Sequence, residues 1–539
     1  MTRKLLLVNR STPPPRLAAV LWTILGVLTV CIAIWPYGAG IIVMNDDIKF
    51  VRSPACELPL WEELRLAWTS SPSFRPMEII VGRLCDPVSL ACPWVMPVQL
   101  AGLAMLGWGV VRVTAVLMPG ERLLAPLALI LIALSPATTC AVWQMDACSQ
   151  TWSAAIGVWC CLFAWSGFQR AGGGAWPWRE TAWLAALFAI SVHVKETAYG
   201  WSAGIGGCSL MATGWWLVHN RSAAVRTWPL LAVIIVLPLT HLVMRLLVGA
   251  VDQSLEGDQD SRYQLQVGMN LVINLVMSLA GAFATGPFYL MSNSQAWLPL
   301  KAMAVVALLL QAVVLAAAIE FAYLRGNEPL RRACRLAALF CLATLGSVGI
   351  TCLMQSVSEL YGFGANVGFA VLLAVALIAT IRSVQQTDAS GWVPKLATSA
   401  MVMAALIGLY GMSGRAGHFA ITWRLVRQGD AAMVQAAQAI QRQVQPSDGA
   451  SGGSADTSSA RTRSEQLTVC FDAGCRPHYA YGQYVNPVQQ GMDILRSMAW
   501  LKRRYPGVEP VLRMDADCSL LRGTVLAVEC GGVAAHGNW

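Results

Sequence analysis

The chain has 539 residues, of which 56% are hydrophobic and only 12% are charged, and its formal net charge is +9. Soluble domains carry about twice that share of charge, whereas apolar runs of roughly 20 residues recur here and predict a polytopic α-helical membrane protein. The basic excess lies mostly in loops, which indicates positive-inside topology and contact with anionic lipid rather than nucleic-acid binding.

The N-terminal segment is basic and then apolar. Arg3, Lys4, Arg10 and Arg16 precede an apolar run over residues 17–37. The run is longer than the core of a signal peptide and lacks a small-x-small cleavage site. We therefore expect an uncleaved first span with its N-terminus in the cytoplasm.

A polar loop over residues 44–93 follows and is expected outside. Residues 61–68 have the pattern of an amphipathic helix that lies on the membrane surface. In the segment Phe74-Arg75-Pro76, the proline suits the first turn of a second short helix.

Ten further spans are predicted, which gives eleven crossings and places the C-terminus outside. They cover residues 94–117, 123–143, 150–168, 181–195, 199–218, 228–250, 298–322, 334–355, 366–384 and 394–412.

Residues 265–290 are apolar enough to span but carry Gln and Asn on one side. The basic loop at 325–335 is expected inside, so we interpret 265–290 as an interfacial or re-entrant segment on the outer side. The alternative is a twelfth span and a cytoplasmic tail.

The chain divides into three parts by composition. Residues 1–412 form the membrane module, and 413–466 are expected to form an amphipathic helix followed by a flexible linker. Residues 467–539 are expected to form a small α/β domain outside the membrane. Its expected elements are strands at 467–475 and 524–530 and a helix at 486–504.

Cysteines concentrate in the segments predicted to lie outside. The tail carries Cys470, Cys475, Cys518 and Cys530, and the first loop carries Cys56, Cys85 and Cys92. Disulfides suit an oxidising compartment such as the bacterial periplasm, and the four tail cysteines allow three pairings. We therefore expect a multi-pass protein of the bacterial inner membrane with a periplasmic C-terminal domain. The spacings indicate no zinc site, and no cofactor is expected, although a divalent metal stays possible.

Asp46 and Asp47 are adjacent acids where the first span leaves the bilayer. Carboxylates at a membrane boundary are costly unless something satisfies or uses them. A hydroxyl is a poor nucleophile near neutral pH, and a carboxylate within hydrogen-bond reach can take its proton. The pair therefore predicts a general base, with a solvated helix end as the simpler interpretation.

Two later motifs carry cationic groups. Arg75 suits bidentate binding of a phosphate, or else touches lipid headgroups. His193, Lys195 and Glu196 interrupt an apolar stretch between the predicted spans at 181–195 and 199–218. Lys195 suits a phosphate, His193 adds a donor, and Glu196 is expected to pair with Lys195 or Arg75.

The weaker candidates are single residues. Asp146, in a short outer loop, is a possible contact to a sugar or acceptor, as are Glu359 and Tyr361. His241 and Arg245 are four residues apart and share a helix face. Arg245 either contacts donor phosphate or snorkels to the interface.

These motifs resemble those of the GT-C superfamily of integral-membrane glycosyltransferases. The matching features are Asp46-Asp47 after the first span, Phe74-Arg75-Pro76 in the first outer loop and His193-Val194-Lys195-Glu196 at a later outer boundary. Their order is similar to that in protein O-mannosyltransferases and lipid A aminoarabinose transferases. The layout covers roughly residues 17–410.

The resemblance implies a donor in which a sugar is linked to a polyprenyl phosphate. It implies that Asp46, assisted by Asp47, activates a hydroxyl of an envelope glycan, lipid or protein acceptor, with inversion at the anomeric carbon. It further implies that Lys195 and Arg75 hold the leaving phosphate. The resemblance leaves metal dependence open.

Two other functions stay open from the sequence. A flippase or transporter of lipid-linked saccharide predicts ionisable residues at mid-bilayer on several helices. An O-antigen ligase or polymerase predicts its key Arg and His residues in a large late outer loop. The charges here come early in the chain and cluster at one face, which favours the glycosyltransferase.

Overall fold

The computed structural model describes most of the helical part of the chain and pieces of the tail. The described residues are 15–39, 51, 57–70, 75–87, 89–145, 147–248, 268–283, 298–324, 328–349, 352, 362–387, 392–444, 465–471, 478–480, 483–485, 500–514 and 524–528.

The described chain is predominantly helical, as the apolar runs predict. Its helices are α1 (Pro15–Ala39), α2 (Leu60–Ser70), α3 (Pro76–Arg83), α4 (Val95–Leu117), α5 (Leu124–Ala133), α6 (Pro136–Trp143), α7 (Cys148–Gly172), α8 (Trp178–Val194), α9 (Thr197–His219), α10 (Arg221–Leu247), α11 (Met269–Phe283), α12 (Leu298–Leu324), α13 (Glu328–Leu345), α14 (Phe363–Thr387) and α15 (Trp392–Val444).

Within the described residues, five helices are long and apolar enough to cross a membrane, namely α4, α7, α10, α12 and α14. The bent pair α5–α6 adds a sixth if it forms one span. The prediction of a polytopic helical membrane protein is therefore confirmed in this coarse form. The count of eleven crossings and the assignment of sides stay predictions.

The predicted span at 123–143 is bent, not continuous. Its two halves, α5 and α6, meet at an angle of 73°. Pro136 lacks an N–H and disfavours helical backbone at the preceding residue, Ser135, so the helix breaks there. Thr138 Oγ1 donates to the Ile132 carbonyl at 2.5 Å, and Ser135 Oγ accepts from the Ala137 N–H at 3.2 Å. These bonds satisfy backbone groups that the break releases.

The ambiguous stretch at 265–290 contains α11, which has 15 residues. At 1.5 Å per residue, the described part of this helix covers about 22 Å. The buried side chain of Asn274 donates to the Cys352 carbonyl at 3.2 Å. The polar face of α11 is thus turned toward protein. The interfacial or re-entrant interpretation stays a prediction.

Helices α9 and α13 cross with their backbones in contact. A Cβ added at Gly204 would collide with the Ala343 carbonyl, and one added at Gly200 would collide with the Gly346 carbonyl. Small residues at such crossings let membrane helices approach closely. This crossing fixes the start of α9, where the candidate site lies.

Helix α15 is one continuous helix of 53 residues. It runs through the boundary predicted at 412/413 and joins the predicted span at 394–412 to the helix expected before the linker. Its buried residues Met433, Ala437 and Ile440 recur at helical spacing. This part of α15 packs against the tail sheet, and Gln438 Nε2 donates to the Tyr505 hydroxyl at 3.2 Å.

The tail contains a parallel sheet of three strands in the order β4-β1-β5, formed by β1 (Glu465–Phe471), β4 (Val508–Met514) and β5 (Thr524–Val528). A separate antiparallel pair joins β2 (His478–Ala480) and β3 (Gln483–Val485).

The two strands expected at 467–475 and 524–530 correspond to β1 and β5, and β4 was not predicted. Of the helix expected at 486–504, residues 500–504 are described and helical. Arg503 Nη1 donates to Glu57 Oε2 at 3.2 Å, so the tail contacts the first loop.

Candidate functional site

The candidate site is built around the two-residue joint between α8 and α9. Helix α8 ends at Val194, and Lys195 follows with extended backbone before α9 begins at Thr197. Lys195 and Glu196 therefore interrupt two apolar helices at the point where the chain reverses. The sequence anomaly at 193–196 marks this joint correctly.

Lys195 is almost completely buried, with 2% of its surface exposed. Its Nζ lies 3.3 Å from Glu78 Oε1 and donates to Ser149 Oγ at 3.0 Å. Ser149 in turn donates to Glu78 Oε1 at 2.6 Å. A buried ammonium is costly without a counter-charge and hydrogen bonds, and Glu78 with Ser149 supplies both.

Arg75 links this buried pair to Glu196. Its Nε donates to both carboxylate oxygens of Glu196, at 2.9 and 3.0 Å, and its Nη1 lies 3.3 Å from Glu78 Oε2. Arg75 is at the N-cap position of α3, and Pro76 starts that helix, so the rigid first turn holds the guanidinium in place. We call Arg75, Glu78, Ser149, Lys195 and Glu196 the ionic cluster.

The Glu196 carboxyl has a lowered pKa in the folded protein. Partial burial alone would raise its pKa, but the charge and hydrogen bonds of Arg75, together with the Lys195 ammonium, lower the pKa below the ordinary 4.5. Glu196 is therefore a carboxylate at neutral pH. Its side chain is 30% exposed and that of Arg75 is 16% exposed, so these two are the most accessible side chains of the ionic cluster.

A second group of side chains lies beside the joint, and we call it the aromatic–histidine cluster. It consists of Trp68, His193, Tyr199, His241 and Arg245. The His193 and His241 ring centroids are 4.9 Å apart, and the Tyr199 hydroxyl lies 2.6 Å from His241 Nδ1. The buried Nε2 of His241 has no hydrogen-bond partner in the described structure.

Arg245 is clamped by Trp68, which lies near the end of α2. Its guanidinium carbon lies 4.9 Å from the centroid of the Trp68 ring, and its Nη1 donates to the Trp68 carbonyl. Only 4% of Arg245 is exposed. Arg245 is therefore buried beside Trp68, and the two interpretations of its role, contact with donor phosphate and snorkelling, stay predictions.

The two clusters occupy the end of the bundle that carries the Cys85–Cys92 disulfide. Helix α3 leads directly into the disulfide loop, and Ser149 stands in the first turn of α7. The first loop is thus attached to the α8–α9 joint twice, through Arg75 and through Trp68. A disulfide in this loop agrees with the prediction, made from the distribution of cysteines, that the loop lies in an oxidising compartment. Cys470 in the tail is also disulfide-bonded.

The structure brings five of the predicted site residues together, namely Arg75, His193, Lys195, Glu196 and Arg245. The other five lie outside the described residues, namely Asp46, Asp47, Asp146, Glu359 and Tyr361. Of the two partners predicted for Glu196, the structure shows Arg75.

Sequence reasoning missed Glu78, Ser149, Trp68 and Tyr199. Glu78 carried a usable signal, because it is a single acid in the short apolar helix α3, three residues after Arg75. Ser149 carried none, since a serine at a helix start is common. Residues 61–68 were correctly predicted as a helix, but no pattern showed that Trp68 faces the site.

Ser149 and Lys195 lie at the spacing of a Ser–Lys hydrolytic pair, but they are not arranged as one. Ser149 is fully buried, and its hydroxyl donates to Glu78 rather than to Lys195. Among the described residues, no group of three His, Cys, Asp or Glu side chains is placed to hold a metal ion.

Fold and site together define a polytopic helical membrane protein with a buried cluster of charges at one end of its bundle. No protein-family model matches the chain, and a comparison with characterised proteins finds no relative.

Proposed function

We propose that this protein transfers a sugar from a polyprenyl-phosphate-linked donor to a hydroxyl group of an envelope glycan, lipid or protein on the outer face of a bacterial inner membrane. The proposal rests on the contact between Arg75 and Glu196, which are 121 residues apart in sequence. This contact brings the first loop to the joint formed by Lys195 and Glu196. The GT-C resemblance predicts the same grouping.

The charge balance of the two clusters favours an anionic ligand. Arg75, Lys195 and Arg245 are three cations, and Glu78 and Glu196 are two carboxylates, so the five carry one net positive charge. In a site sheltered from water, this charge stabilises a phosphate more strongly than in bulk solvent. Arg75 presents the more accessible guanidinium, and Lys195 holds Glu78, which in turn pairs with Arg75.

The proposed reaction is a single in-line displacement. The acceptor oxygen forms a bond to the anomeric carbon, and the bond between that carbon and the phosphate oxygen breaks. The acceptor proton passes to Asp46, oriented by Asp47, and the polyprenyl phosphate leaves as an anion facing Arg75 and Arg245. The configuration at the anomeric carbon inverts.

The distribution of ion pairs supports chemistry at one end over transport through the bundle. The other ion pairs include Arg170–Glu180 and Arg382–Glu121. They lie at the C-terminal ends of α7 and α14, away from the ionic cluster, where they hold loops. Within the described helices, the ion pairs thus lie at helix ends and none occurs at the middle of a span. A saccharide pathway predicts ionisable residues at mid-bilayer on several helices.

The test uses the full chain in lipid nanodiscs with radiolabelled undecaprenyl-phosphate sugars and an envelope acceptor extract. The proposal expects labelled acceptor, released undecaprenyl phosphate and inversion detected by NMR. Movement of intact donor across liposomes without bond cleavage would instead identify a flippase.

A further inference from the structure

Four buried polar atoms near the ionic cluster lack a hydrogen-bond partner within the described structure. They are Gln99 Oε1, Thr139 Oγ1, Gln144 Oε1 and Gln150 Nε2. Each of these residues is at most 5% exposed. Buried polar groups nearly always find partners, so such a concentration needs an explanation. We call these four residues the amide cluster.

The amide cluster lies where α4, α6 and α7 meet. Gln99 Nε2 donates to the Gln144 carbonyl at 3.2 Å, which joins α4 to the end of α6. Thr151 Oγ1 donates to the Ala141 carbonyl at 3.0 Å, which joins α7 to α6. A Cβ added at Gly102 of α4 would lie 3.1 Å from Thr151 Cγ2. The three helix segments therefore form one contact region.

This region borders the ionic cluster. Ser149, which bonds Glu78 and Lys195, directly precedes Gln150 in the first turn of α7. The amide cluster thus starts one residue from the ionic cluster along α7. In the proposed donor, the sugar is the group next to the phosphate.

The chemistry of the amide cluster suits hydroxyl groups. Its side chains are uncharged: the Gln99 and Gln144 oxygens accept, Gln150 Nε2 donates, and the Thr139 hydroxyl can do both. A phosphate, which only accepts in its fully ionised form, does not match the two amide oxygens. A hydroxyl both donates and accepts, and a carboxamide can bond two neighbouring hydroxyls at once.

We propose that Gln99, Thr139, Gln144 and Gln150 recognise the hydroxyl groups of the donor sugar, while the ionic cluster faces its phosphate. This inference rests on the proposed function. It assigns sugar selectivity to amides on the membrane helices and separates it from phosphate binding.

The experiment compares binding of undecaprenyl phosphate and of undecaprenyl-phosphate-glucose to the full chain in nanodiscs. Wild type is expected to bind the sugar-bearing lipid more tightly. Gln99→Leu and Gln144→Leu should each weaken the affinity for undecaprenyl-phosphate-glucose by about tenfold. Each should change the affinity for undecaprenyl phosphate by less than about twofold. The control is Gln311→Leu, because Gln311 of α12 is also buried with an unpartnered Oε1, and it should change neither.

A second readout separates recognition from structure. Gln144→Leu removes an unpartnered buried oxygen and should keep or raise the melting temperature, whereas Gln99→Leu also removes the bond to the Gln144 carbonyl and should lower it slightly. Gln99→Met, which is closer in shape, serves if Gln99→Leu does not fold. Loss of sugar preference with retained stability supports the proposal.

The outcomes are distinct. Equal binding of both lipids by wild type, or loss of both in the variants, overturns the sugar site and leaves carrier binding standing. If both glutamine variants keep the wild-type preference for the sugar-bearing lipid, the region holds only water, and the proposed sugar site is also overturned. Binding of neither lipid by wild type overturns the proposed function together with this inference.

Discussion

Lys195 and Glu78 are 117 residues apart in sequence and form an ion pair that is nearly inaccessible to water, with 3.3 Å between Nζ and Oε1. The pair joins the first loop to the α8–α9 joint. Removing Glu78 deprives the buried Lys195 ammonium of this counter-charge, whereas removing Lys195 leaves Glu78 paired with Arg75.

The first prediction concerns this pair. Glu78→Gln should destabilise the protein by about 3–5 kcal/mol, because Lys195 loses the carboxylate that neutralises it. Lys195→Met should cost less, about 1.5–3 kcal/mol, because Glu78 keeps its pair with Arg75. The double variant should be more stable than the sum of the single changes predicts, by at least about 1 kcal/mol. Unfolding in detergent and SDS mixtures measures this coupling, and strictly additive effects would exclude the pair as a buried unit.

The second prediction concerns pH. The pKa of Glu196 is lower in the folded protein than the ordinary 4.5 because Arg75 and Lys195 favour the carboxylate. Its contribution to stability is therefore complete above about pH 4.5 and is lost as pH falls through the lower folded pKa. Glu196→Gln should flatten the acid limb of the melting-temperature curve. Glu62→Gln, which changes an exposed acid of α2, should leave the curve unchanged.

The third prediction concerns the attachment of α2 through Trp68. Trp68→Leu removes the ring that stacks with Arg245 and His193, so hydrogen exchange in residues 60–70 should become about three- to tenfold faster. Trp61 is 74% exposed and is the matched control. If Trp61→Leu accelerates exchange in α2 as much as Trp68→Leu does, the site contact does not hold this helix.

The fourth prediction concerns the crossing of α9 and α13. Gly204→Ala places a methyl group against the Ala343 carbonyl, which should cost about 1–3 kcal/mol. A Cβ at Gly214 of the same helix meets nothing within 4 Å, so Gly214→Ala should be neutral or slightly stabilising. Equal melting temperatures for the two variants would show that the backbones are not in contact.

The sequence predicted the membrane class, α2, the joint at 193–196 and the grouping of Arg75 with Glu196. Those features depend on hydropathy and on charges in unusual places, which local sequence reports directly. Glu78 and Ser149 were not predicted as partners of Lys195, because tertiary packing alone brings α3 and α7 to the joint.

The differences in the fold have local causes. Pro136 was present in the predicted span at 123–143, and its effect on the helix was overlooked. Pro510 stands in β4 and argues against a central strand, but β4 is at the edge of the sheet, where proline is tolerated. The helical propensity of residues 413–444 lets α15 continue past the change in composition at 412/413.

The measurement that tests the proposed function most directly is single-turnover transfer by Asp46→Asn in nanodiscs. Because the amide cannot accept the acceptor proton, sugar transfer should fall by at least about 10²-fold, while affinity for undecaprenyl-phosphate-glucose stays within about twofold of wild type. Glu62→Gln should transfer at the wild-type rate. Transfer by Asp46→Asn at a rate near that of wild type would contradict the account.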